Sequence, residues 1–144
     1  GLVLLEEDPL RYTWGMVDLV ERLRAAGLRV SRARRAVGDL VLAPDAHPTA
    51  DQVWTELRRR GAKVSRAAVY KTLTAFCDAG LLRSLTIEGR QVFDPRLDAH
   101  HHAVDVETGA IRDVPVDAVS VRGLDGLEGL EPVDAHVVIK ARFR

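Results

Sequence analysis

Between Val92 and His102 the chain reads VFDPRLDAHHH, which places a carboxylate and three consecutive imidazoles just past its middle. Imidazole nitrogens and carboxylate oxygens are the donors of many divalent metal sites, and imidazole also ligates haem iron. If the run is extended, its side chains alternate faces, so His100 and His102 project to one side, roughly 6.5–7 Å apart along the backbone, and His101 to the other. Two imidazoles on one face can grip a single ion. Asp94 can turn back onto that ion, because Pro95 favours a bend. The bland alternative is a solvated run of histidines that holds nothing. The chain has only two further histidines, His47 and His136.

Other chemistry is poorly supplied. Ser31, Ser65, Ser84 and Ser120 lack a nucleophile-elbow context, and no glycine-rich phosphate loop is present. The single cysteine, Cys77, falls on the apolar side of its predicted helix and excludes both an intrachain disulfide and a cysteine-built structural zinc site. A metallohydrolase could still be built from histidine and aspartate ligands with an open position for water. No segment reads as a substrate cleft for it.

The elements that must position these residues follow from periodicity. Met16, Val17, Leu19, Val20 and Leu23 recur at helical spacing between Tyr12 and Ala26, and Gly27 supplies a stop. Ser31 can cap a second helix that runs through Leu42 to the Pro44 break. Thr49 with Gln52 forms a capping box for a third, which ends at Gly61. Ser65 caps a fourth, through Val69, Leu73, Phe76 and Cys77 to Gly80. After Gly80 the period becomes alternating, with strands at 82–87 and 91–93 around a three-residue Glu88-Gly89-Arg90 connection. Helices followed by a β-hairpin are the order of a winged helix-turn-helix, in which the helix after Ser65 enters the major groove.

Beyond Pro95 two short alternating runs, His101 to Val106 and Ala110 to Val114, flank a Glu107-Thr108-Gly109 turn. The glycines between Val116 and Leu130 argue against a long helix there, and Val133 to Phe143 reads as a half-buried strand. So small a unit could barely bury a core, and pairing with a second copy is the simplest remedy. The expected architecture is therefore α/β (α+β): a winged-helix DNA-binding domain over residues 1–95 and a dimerisation and metal-binding domain over 96–144.

At 144 residues and 47% hydrophobic the chain can bury a core, and its formal net charge is zero. Divided, the charge is informative. Residues 1–95 hold 15 Lys+Arg against 12 Asp+Glu, while residues 96–144 hold 6 against 9. A basic first part suits nucleic acid. Six arginines fall between Arg22 and Arg35; in a winged helix these contact phosphates, although such a run is often only a solvated face. Arg66, Tyr70 and Lys71 lie in the first turns of the fourth helix, where bases are read, but Tyr70 could equally be a half-buried core aromatic. The opening GLVLLEEDPL is too polar for a membrane span and carries acids where a secretory signal carries Lys or Arg. A soluble cytoplasmic protein without membrane contact is expected.

The runs AHPTADQVWTEL and VSRAAVYKTLTAFCDAGLL, then VFD at the end of the wing and HHH with a TG turn after it, resemble the ferric uptake regulator (Fur) superfamily over roughly residues 18–144. The resemblance implies a homodimeric repressor that binds a palindromic double-stranded operator under control of a divalent ion at the hinge between its domains. It implies His47, Asp94, His100, His102 and Asp113 as that ion's ligands, with Fe²⁺ or Mn²⁺ in the cell and Zn²⁺ acceptable on isolation. It implies Tyr70 and Lys71 as groove contacts and Arg29 as a minor-groove contact just before the second helix; Arg32, from the arginine run, and Arg66, from the start of the fourth helix, complete the expected DNA contacts. His101 and His136 correspond to two of four ligands of a secondary site, for metal or haem.

The chain departs from that pattern in two ways. Asp105 and Thr108 stand where most relatives carry the Cys-x-x-Cys of a structural zinc, so no structural zinc is expected. This, the HHH triplet and the ending VVIKARFR look most like the iron response regulator (Irr) branch, which is associated with haem sensing. Both acidic ligands are aspartates, as in peroxide-sensing relatives, where hydrogen peroxide oxidises a ligand histidine at the bound ferrous iron.

Overall fold

The computed structural model describes residues 19–144, and the chain divides into two compact units, the second being Asp98–Arg144. The predicted helix beginning at Tyr12 falls partly outside the described residues. Its observed part, 19–25 (α1), buries Leu23 completely.

In the first unit α2 (Arg32–Val41), α3 (Ala50–Arg59) and α4 (Arg66–Asp78) follow, and each starts where a side-chain oxygen accepts an otherwise orphaned backbone N–H. Ser31 Oγ accepts from Arg34, Thr49 from Gln52 and Ser65 from Ala68. Thr49 and Gln52 complete the capping box in both directions. The helix α4 stops at Gly80 (φ 76°), where Leu81 N–H donates back to the Phe76 carbonyl at 2.9 Å. It packs against α2 and α3 around Val37, Val41, Val53, Leu57, Val69, Leu73 and Phe76.

The wing is β1 (Arg83–Ile87) paired antiparallel with β2 (Arg90–Asp94). Ile87 sits opposite Arg90, so the connection is the two residues Glu88 (φ 52°) and Gly89 (φ 74°), not the three expected. Two successive left-handed residues match the twist of the flanking strands, and glycine adopts that conformation without strain. These four helices and the wing form a winged helix-turn-helix.

In the second unit β3 (His101–Asp105) is the central strand of a sheet in the order β4-β3-β5. It pairs antiparallel with β4 (Ile111–Val114) and parallel with β5 (Val138–Ala141). The 115–137 crossover contains two single 3-10 turns, Val116–Ala118 and Leu124–Gly126, and no longer helix. The final strand is shorter than its alternation suggested: Val133 is 97% exposed, and pairing starts only where the chain reaches β3. Val104 is the one aliphatic side chain buried in this unit; His100, His101, His102 and Asp105 are buried beside it. Among the described residues no helix is long and apolar enough to cross a membrane.

Candidate metal centre

Two sets of donor groups are built, one in each unit. In the first, His47 lies in the link between α2 and α3. Phe93 N–H donates to the Pro48 carbonyl at 2.9 Å, which ties that link to β2 and sets His47 Nε2 3.6 Å from Asp94 Oδ2. Asp94 closes β2 and is 1% exposed. Its Oδ1 accepts from Arg96 N–H at 2.9 Å, so the bend at Pro95 is held by the carboxylate that also faces the imidazole.

In the second unit, strand alternation and register assemble the other set. His102 is opposite Asp113 in the β3–β4 ladder, and His100, just before the strand, falls on the same side. His100 Nδ1 lies 2.7 Å from the Asp98 carbonyl. A carbonyl only accepts, so this nitrogen carries the proton and His100 Nε2 presents a lone pair. That lone pair faces Asp113 Oδ1 at 3.1 Å, and His102 Nε2 lies 3.5 Å from the same oxygen. Acceptors brought this close need either a proton or a metal cation between them. The donor atoms of the three residues lie within 4.8 Å of one another, and the set holds no thiolate, so the residues present fit a divalent ion of hard to intermediate character.

The two remaining histidines are otherwise engaged. His101 points away from His100 and His102, as alternation requires, and its Nδ1 accepts from Val137 N–H at 3.0 Å. The exposed His136 places its Nε2 2.6 Å from His102 Nδ1. The rings of His101 and His136 are 6.3 Å apart, and among the described residues no third ligand-type side chain joins them. Nothing in the sequence pointed to His136 as a partner of His102; the contact depends on the parallel pairing of β5, which periodicity does not reveal.

On the winged-helix unit, Arg29, Arg32, Arg66 and Lys71 are all exposed. Tyr70 is 45% exposed, so it is a surface residue of α4 and not part of the core. Arg66, the first residue of α4, lies with its guanidinium carbon 4.4 Å from the centre of the Trp54 ring and its Nη1 3.4 Å from Asp51 Oδ1. Cys77 offers no nucleophile: burial, and then the neighbouring Asp78 charge, push its thiol up from its ordinary value.

The chain matches the ferric uptake regulator family over residues 25–139. It is 31% identical over 121 residues to a peroxide operon regulator of Bacillus subtilis (strain 168), covering 83% of this chain and 78% of that protein. It is similar to the structure of the ferric uptake regulator from Pseudomonas aeruginosa with manganese, at 30% identity and a TM-score of 0.62 over 88% of this chain and 98% of that one. It shares its fold with the Vibrio cholerae ferric uptake regulator, at 22% identity and a TM-score of 0.69 over 86% and 98% of the two chains. On the winged helix, the small second sheet and this match across most of its length, the chain belongs to the ferric uptake regulator family.

Proposed function

We propose that this chain is a homodimeric, metal-switched regulator in which His47 and Asp94 from the first unit and His100, His102 and Asp113 from the second close on one divalent ion, Fe²⁺ or Mn²⁺. The observation that carries this reading is the convergence of the His100 and His102 Nε2 atoms on Asp113 Oδ1, with the His100 tautomer already fixed for ligation by the Asp98 carbonyl. The bound ion supplies a positive charge that both units can share. His47 and Asp94 engage it from the winged unit, and His100, His102 and Asp113 from the sheet unit. Loading would thereby favour one angle between the units, and hence one spacing of the two α4 helices in a dimer. Arg29 would enter the minor groove and Arg32 would contact phosphate, while Arg66, Tyr70 and Lys71 would read the major groove of a palindromic operator. The family consists of metal-responsive transcription regulators rather than enzymes, which removes the hydrolase alternative.

Self-association is supported by the second unit's composition. Val106, Val116, Val121, Leu127, Leu130 and Val133 are all exposed on it while only one aliphatic side chain is buried, and a unit with so little buried core is completed most simply by a second copy.

The deciding experiment is operator binding by gel shift with Mn²⁺ and with chelator, for the wild type and for His47→Ala. The variant is expected to remain a folded dimer and to keep weak Mn²⁺ binding through His100, His102 and Asp113, yet to lose metal-dependent DNA binding. Full metal stimulation in His47→Ala would confine the ion to the second unit and sink the hinge mechanism. A peroxide-responsive variant of this function is the favoured second reading, because both acids are aspartates and the Bacillus subtilis relative is a peroxide operon regulator. The Irr-type haem reading has less support, since His100, His101 and His102 are each under 5% exposed.

A further inference from the structure

Trp54 belongs to α3, with its ring half-buried against the core of the winged unit. Two guanidiniums lie over that ring. Arg58, one turn further along α3, is 4.8 Å from its centre, and Arg66, from the first turn of α4, is 4.4 Å away. Arg66 also reaches Asp51 at 3.4 Å while its side chain stays 55% exposed. An exposed arginine normally samples many rotamers, and ordering it on binding opposes affinity. Here a ring anchored in the core takes the face of the guanidinium, and a carboxylate takes one of its nitrogens. Stacking uses the face and leaves the in-plane N–H donors for hydrogen bonds.

The same arrangement selects the partner. The negative charge of Asp51 beside Arg66 disfavours a phosphate at this point, whereas a guanine edge presents only the neutral acceptors O6 and N7 in the geometry of the arginine fork. The first turn of a recognition helix is where base edges are met. We propose that Trp54 and Asp51 are positioning residues for DNA recognition, holding Arg66 so that its fork reads one guanine in the major groove. This rests on the reading of α4 as the recognition helix.

The test uses the full chain with Mn²⁺ and a duplex selected by the wild type from a randomised pool, with each guanine of that duplex replaced in turn by 7-deazaguanine, which lacks the N7 acceptor. At one guanine the replacement is expected to weaken wild-type binding roughly tenfold to a hundredfold. Arg66→Met, which keeps much of the side-chain length and has no N–H donor, should abolish that penalty. Asp51→Asn and Trp54→Leu should shrink it several-fold, and Trp54→Tyr, which restores an aromatic face, should recover it. Asp51→Asn touches no core packing, so it carries the result even if Trp54→Leu is unstable. An unchanged penalty in Arg66→Met overturns the guanine contact. A penalty lost in Arg66→Met but intact in Asp51→Asn and Trp54→Leu overturns the positioning role while leaving Arg66 as a reader. If the wild type selects no duplex at all, the DNA-binding reading itself fails.

Discussion

His102 Nδ1 and His136 Nε2 lie 2.6 Å apart, joining β3 to the residues that lead into β5. One of these nitrogens must donate to the other. With the proton on His102 Nδ1, its Nε2 presents a lone pair toward Asp113, so in the proposed metal site His136 would be the outer partner that fixes the tautomer and angle of the His102 imidazole. Removing such partners typically lowers metal affinity about 10–100-fold. His136→Ala is therefore expected to weaken Mn²⁺ binding within that range in a calorimetric titration, without changing the circular dichroism of the metal-free chain.

Asp105, at the end of β3, gathers the hydrogen bonds of its turn. Thr108 Oγ1 donates to it at 2.6 Å, and the Glu107 and Phe143 N–H groups donate at 3.3 and 3.5 Å. The Thr108 hydroxyl is the main cause holding this carboxyl below its ordinary value of 3.8; burial opposes it, and the backbone donors assist. A depressed carboxyl stabilises the fold fully above its unfolded value and loses that contribution as pH falls through the lower folded value. Asp105→Asn should melt below wild type near neutral pH, and the gap should close as the pH drops below 3.8. Parallel thermal melts across that range check it.

Much of the first unit was legible because its boundaries are local chemistry. Ser31, Thr49 and Ser65 cap helices wherever they precede an apolar 3.6-residue period, and the observed starts at Arg32, Ala50 and Arg66 lie one residue later. The turn at Glu88-Gly89 was read one residue too long because Arg90 pairs with Ile87, a cross-strand fact the hairpin sequence does not fix. In the second unit the alternation of His100, His101 and His102 was legible, whereas their partners were not. His136 and Val137 meet β3 only because β5 runs parallel beside it, and Trp54 meets Arg66 only because α3 packs on α4.

Phe76 is the largest fully buried side chain of the winged unit. Truncating a buried phenylalanine to alanine costs about 3–5 kcal/mol, the removed transfer energy plus that of the residual cavity. Phe76→Ala should lower the denaturant midpoint of this unit accordingly and reduce DNA binding through loss of fold. Unfolding followed by Trp54 fluorescence reads the change locally when Trp14→Phe is made in both chains.

Tyr70 and Arg29 would make two different kinds of DNA contact in the proposed complex. Tyr70→Phe removes one hydroxyl from the exposed side of α4 and should reduce discrimination between the selected operator and its point variants. Arg29→Ala removes a cation from the proposed minor-groove contact, so it should weaken all duplexes alike and flatten the salt dependence by about one unit of slope. Affinities measured on two operators at several salt concentrations distinguish the effects, and a Tyr70→Phe chain with unaltered preference would demote the tyrosine from reader to bystander.

The signal is decided by what oxidation does to the ligands. Fe²⁺ held by His47, Asp94, His100, His102 and Asp113 would supply a reductant for hydrogen peroxide beside the imidazole carbons, where an imidazole C–H would take up one peroxide oxygen and the other would leave as water. Mn²⁺ at the same ligands would be the weaker reductant. The Fe²⁺-loaded chain exposed to a small excess of hydrogen peroxide is therefore expected to gain one oxygen on His47, His100 or His102 and to release its operator, while the Mn²⁺-loaded chain stays unmodified and bound. Peptide mass spectrometry locates the oxygen, and a gel shift on the same sample reads release. Histidines left unmodified in the Fe²⁺ sample, with operator binding intact, would reject peroxide as the signal and leave metal occupancy alone as the switch.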